Sequence, residues 1–171
     1  MSAWRHLRAI GLLPAVATLL VPATIVAWTG SVDVGWGLPG GAAALPPLLG
    51  SALIALGLLL MVRTVGLFAT VGRGTLAPWD PTSRLVVRGP YRHVRNPMIS
   101  GALSILLGEA ALLGAPPLLV WAGAFFAANA IYMPLVEEPG LVRRFGSDYE
   151  RYRAHVPRWI PRLTPWSPEG G

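Results

Sequence analysis

Gly89 to Gly101 reads GPYRHVRNPMISG, which sets Arg92, His93 and Arg95 directly ahead of a proline that opens a long apolar run. Guanidinium groups bind carboxylates and phosphates through paired hydrogen bonds. Farther along, the adjacent carboxylates Glu137 and Glu138 close another apolar run. Carboxylates beside hydrocarbon are costly, and they work weakly against placement on an inner leaflet whose surface is already negative. One of them pairing with a loop arginine is the plain structural explanation. Two are more than one ion bridge requires, and a ligand carrying positive charge would account for the surplus.

These residues need elements that bring them to one place. The chain has 171 residues, 53% hydrophobic and 13% charged, with a mean hydropathy of +0.53. Soluble domains carry about 25% charged residues, so the composition points to an all-α integral membrane protein, a single domain over residues 1–171. Four apolar runs, at about 7–28, 45–68, 97–113 and 116–136, match the ~17–25 residues of a transmembrane helix. The first has Arg5 and Arg8 in front of it, as a signal peptide would, but its length exceeds the usual apolar core of ~7–15 residues, so an uncleaved span is expected.

Charge gives the orientation. The first connection carries only Asp33 and the turn at Gly114 carries none, whereas Arg5, Arg8, Arg73, Arg84, Arg88, Arg92, Arg95 and the arginines after Glu138 share the other side. The positive-inside rule then places both termini and the long second loop in the cytoplasm, in a bacterial-type inner (plasma) membrane. Arg63 reads as a side chain snorkelling to the headgroups. All basic charge is arginine, and the net +6 is better matched to anionic lipid than to nucleic acid. With no cysteine there is no thiolate nucleophile or Cys-ligated metal, and no metal site is expected.

Asn96-Pro97 has the form of an N-cap followed by proline at the first helical position, and Gly114 suits a left-handed helix end. Ser100, Ser104 and Gly108 form a stripe of small residues that admits a close neighbour. The third and fourth spans are therefore expected to form a tight hairpin that brings Arg95 within reach of Glu137. In the tail, Leu141, Phe145, Tyr149, Tyr152 and Val156 fall on one helical face, with arginines on the remainder. That pattern predicts a cytoplasmic amphipathic segment, broken at Gly146, with Ser147 and Glu150 as a capping box and a surface suited to anionic lipid.

GPYRHVRNP before a span, then a second span, then EE followed by L...FG..Y..Y...VPR..P, resembles the isoprenylcysteine carboxyl methyltransferase family and its phospholipid methyltransferase relatives. The resemblance covers about Gly89 to Pro161 and implies S-adenosylmethionine as methyl donor, held by residues 89–101 and 137–161. It implies the donor carboxylate at the helix start, Asn96-Pro97, with a contact from Arg92 or Arg95. Glu137 or Glu138 would take the ribose hydroxyls or the ammonium, and Tyr91, Met98, Tyr149 and Tyr152 would pack the adenine or the cation. Arg95, Glu138 and His93 are the residues expected to carry the chemistry, toward a lipophilic or amphipathic acceptor bearing a carboxylate or an amine.

Three positions depart from the family pattern: Asn96 replaces a histidine, Ile99 replaces a tyrosine, and Met133 stands where the prenylcysteine enzymes carry an arginine. The last weakens prenylcysteine as the acceptor. Two other readings stay open: an NADPH-dependent reductase of the steroid-reductase-like type, and a non-catalytic membrane partner or transport protein marked by Glu109, Asn129 and Tyr132.

Overall fold

The computed structural model describes residues 14–72 and 83–168. Arg5, Arg8 and Arg73, and the opening of the first expected span, lie outside the described residues. Among the described residues every regular element is helical. Helix α1 is Val21–Thr29, preceded by a π-helical turn at Val16–Leu20. Helix α2 is Leu45–Leu67, α3 is Pro97–Leu113 and α4 is Pro116–Tyr132. Two short helices follow, α5 over Glu138–Phe145 and α6 over Ser147–His155.

Gly40–Gly72 and Pro116–Phe145 are continuous helical stretches of 33 and 30 residues, each long and apolar enough to cross a membrane, while Val16–Thr29 and Pro97–Leu113 are shorter apolar helices. Leu48, Val62, Val120 and Leu135 point outward. In water such a surface is an aggregation liability; in hydrocarbon it is the surface a span requires.

The described residues fall into two compact units. One takes in residues 14–59 and 101–128, and its packing depends on missing side chains. A Cβ added to Gly50 would lie 2.5 Å from the Leu112 nitrogen and 2.6 Å from the Gly108 carbonyl oxygen, and one added to Gly57 would lie 2.5 Å from the Gly101 oxygen. Glycine is thus what lets α2 and α3 touch along their backbones. The Ser104 hydroxyl crosses the same contact to donate to the Leu53 carbonyl at 2.8 Å. Ser104 and Gly108 of the small-residue stripe therefore serve α2 and not α4, because α2 supplies the matching glycines. The α3–α4 turn is as expected: Gly114 has φ 61°, and a side chain there would collide with the Asp33 carbonyl.

The other unit takes in residues 60–72, 83–100 and 129–168. Here the helix that begins with α4 runs through a π-helical turn, Met133–Glu137, in which the Glu138 N–H donates to the Met133 carbonyl five residues back. Pro134 sits in this turn. Its ring crowds the preceding turn and it offers no N–H, and the wider π turn absorbs that conflict. The apolar part of this helix ends at Val136, since the next two residues are the glutamates.

Gly146, at φ 55° and ψ −133°, separates α5 from α6 as the sequence suggested. It also occupies the N-cap of α6, so Ser147 is the first helical residue and makes no cap. The apolar face of the tail closes on itself: Tyr149, Tyr152, Val156 and Trp166 form a buried cluster against Leu85, Val87, Leu141 and Phe145. Beyond α6 the chain extends from Val156, at φ −110° and ψ 122°.

Candidate functional site

Gly89–Arg92 forms a short 3-10 helix whose end is closed by the His93 and Val94 N–H groups on the Pro90 carbonyl, and the tail pairs with the backbone groups this turn leaves open. The Arg95 N–H donates to the Pro157 carbonyl at 2.9 Å, Arg162 N–H to the His93 carbonyl at 3.0 Å, and Trp166 N–H to the Arg92 carbonyl at 2.9 Å. Asn96 holds the N-cap of α3, its carbonyl accepting from the Ser100 N–H at 3.0 Å. Its side-chain amide donates to the Arg158 carbonyl at 3.4 Å. The loop and the tail therefore form one clamp at the start of α3.

Glu138 lies inside that clamp, 7% exposed. Arg158 grips it with Nε on Oε1 at 2.6 Å and Nη2 on Oε2 at 3.0 Å, and Arg95 Nη1 reaches Oε1 at 2.9 Å. Burial pushes the Glu138 carboxyl pKa up, but the hydrogen bond from Arg158 and the charges of Arg95 and Arg158 outweigh it and hold the group below its ordinary value. Reciprocally, the bond to Glu138 raises Arg158 above its usual range against the effect of burial. Two guanidiniums on one carboxylate leave one positive charge in excess. Tyr149 stands beside them, its hydroxyl pKa raised by burial and then by the Glu138 charge, with Arg95 opposing.

Other expected residues serve the clamp. Tyr91 is 6% exposed, its ring centroid 5.5 Å from that of Phe68, and its carbonyl accepts from the Tyr152 hydroxyl at 2.7 Å. Burial raises both phenol pKa values, so both hydroxyls stay neutral. Arg92 Nε donates to the Trp166 carbonyl at 2.7 Å. His93 Nδ1 lies 2.8 Å from the Arg162 carbonyl oxygen. A carbonyl only accepts, so Nδ1 is the donor in this bond. Pro97 is fully buried and Met98 half-buried.

The two adjacent glutamates part company. Glu138 turns inward and Glu137 is exposed, so the carboxylate that meets Arg95 is Glu138, in place of the expected Glu137. Residues one apart on a helix face different directions, and the π turn sets which of the two faces the clamp. Arg158 was missed as a site residue. The VPR tripeptide was its only trace, because an extended segment pairing across some sixty residues leaves no periodic signal.

A family model described as phospholipid methyltransferase matches residues 46–148, more than half of the chain. A search of curated proteins returned no match.

Proposed function

The chain belongs to the phospholipid methyltransferase family, and on that premise we propose that it transfers a methyl group from S-adenosylmethionine to a lipophilic or amphipathic acceptor at the cytoplasmic membrane face. The observation that carries this reading is the convergence of Arg95, Glu138 and Arg158, from three separate parts of the chain, on one partly buried centre.

The residues present suit the donor. Arg95 Nε is buried with no hydrogen-bond partner among the described residues, and the guanidinium excess matches a carboxylate. The first N–H groups of α3 and its positive dipole end favour the same anionic group. Glu138 suits an ammonium or ribose hydroxyls, and the hydroxyl of Tyr149 borders it. When bound, S-adenosylmethionine supplies an electrophilic methyl group on a sulfonium centre. The clamp's contribution is to orient and to exclude water, which govern the rate of an in-line displacement. His93, with Nδ1 engaged by a backbone carbonyl, presents Nε2 as the atom able to take a proton from an amine acceptor.

Orientation follows from charge: Arg84, Arg88, Arg92, Arg95 and the arginines of α5 and α6 belong on the cytoplasmic side of an inner membrane, with four spans in all. The acceptor carries an amine or a carboxylate on an apolar body. Titrating the detergent-purified protein with S-adenosylhomocysteine and, separately, with NADPH tests the reading by heat or thermal shift. The first should bind, and Tyr149→Phe should weaken it less than Arg95→Ala. Binding of NADPH alone, or of neither, overturns it.

A further inference from the structure

The clamp carries two apolar side chains that nothing among the described residues covers: Ile160 is 81% exposed and Leu163 is 97% exposed. They alternate with groups that are tied down. Arg158 is fixed to Glu138, the Arg162 N–H to the His93 carbonyl, and the Trp166 N–H to the Arg92 carbonyl. The segment is therefore held in place along its length, and the outward direction of Ile160 and Leu163 is a property of the fold. Pro157, Pro161 and Pro165 stiffen it further by fixing their own φ angles.

Its height is fixed by the same bonds. Val136, the last apolar residue of the span, precedes Glu138 by two residues, and Ile160 follows Arg158 by two. Because Arg158 and Glu138 are joined at 2.6 Å, the segment that carries the exposed pair starts beside the point where the apolar part of the helix ends. Leu135 and Val136, 70% and 52% exposed, present apolar surface at that level. The guanidinium of Arg162, beside Leu163, bonds the His155 carbonyl, which ties that positive charge to the end of α6. Apolar tips at the boundary with arginine behind them match the layering of a bilayer interface, hydrocarbon first and anionic headgroups next.

We propose that residues 158–163 form a lipid-seated strap, with Ile160 and Leu163 inserted into the bilayer interface and the loop bearing His93 and Arg95 held against the membrane through it. The partner is the lipid surface, and the proposal does not depend on the reaction assigned above.

The chain has no cysteine, so Leu163→Cys and, as a control on the exposed face of α6, Ala154→Cys each give one site for an environment-sensitive fluorophore. With the full chain in single-copy nanodiscs of phosphatidylcholine and phosphatidylglycerol, the label at 163 should emit to the blue of the label at 154. Doxyl-labelled phosphatidylcholine should quench it severalfold more strongly, and iodide less. Equal quenching of the two sites by iodide overturns the proposal. So does shielding at 163 that arises only when two copies occupy one disc, which would make this a protein contact.

Discussion

Arg158 and Glu138 meet through both carboxylate oxygens, at 2.6 and 3.0 Å, although 20 residues separate them along the chain. Arg95 adds a third bond from 43 residues away. The carboxylate thus fastens the tail to the loop, and its removal should be felt first in stability.

Deleting one partner of a buried ion pair costs about 3–5 kcal/mol. The Arg158 side chain is 32% exposed and can regain water, so Glu138→Ala is expected to cost about 2–3 kcal/mol. Glu137→Ala, at the exposed neighbour, should stay within about 0.5 kcal/mol. Denaturant unfolding in mixed micelles measures both, and equal losses would contradict the inward turn of Glu138 alone.

Much of this was legible in the sequence, and the remainder failed for identifiable reasons. Asn96-Pro97 and Gly114 announced the ends of α3 because caps are local chemistry. The meeting of a loop arginine with the glutamates followed from two apolar helices and a short turn. The choice between Glu137 and Glu138 depended on the π turn at Pro134, which shifts facing without changing composition. Ser147 looked like a cap because serine commonly is one, yet Gly146 reaches a backbone conformation that serine avoids. Arg158 escaped because backbone pairing between a loop and a distant tail, with Arg95 N–H on the Pro157 carbonyl, has no signature of spacing.

High pH should loosen the clamp through its tyrosines. Burial raises the Tyr152 hydroxyl pKa above its ordinary value of 10.0. A group whose folded pKa exceeds its unfolded one contributes its stability in full below the unfolded value and loses it as pH rises toward the folded one. Stability should therefore decline above about pH 10. Tyr152→Phe should flatten that decline while costing about 1 kcal/mol at neutral pH through the lost bond to the Tyr91 carbonyl. Unfolding curves at several alkaline pH values read both effects.

The α2–α3 contact predicts a sharp contrast among glycines. Gly50→Ala places a methyl against the backbone of Leu112 and Gly108 and should cost about 1–3 kcal/mol. Gly66 in the same helix has nothing within 4 Å of an added Cβ. There the better helix propensity of alanine should prevail, for a gain of up to about 1 kcal/mol. Thermal unfolding of the two variants side by side decides it.

Two neighbouring arginines should separate in their effect on ligand binding. Arg95→Lys keeps the charge but loses the planar fork, and S-adenosylhomocysteine affinity should fall about tenfold, or about 1.4 kcal/mol. Arg92 is occupied by the Trp166 carbonyl, so Arg92→Lys should lower the melting temperature and leave affinity within about twofold. Calorimetric titration at matched folded fractions distinguishes them.

The pairing of residues 92–96 with residues 157–166 also imposes an order on biogenesis. The apolar helices can enter the bilayer as they leave the ribosome, but Arg95 and Glu138 wait for a stretch translated later. Assembly of the centre is therefore a late event, and a nascent protein stalled short of Arg158 would be inserted, membrane-bound and inert.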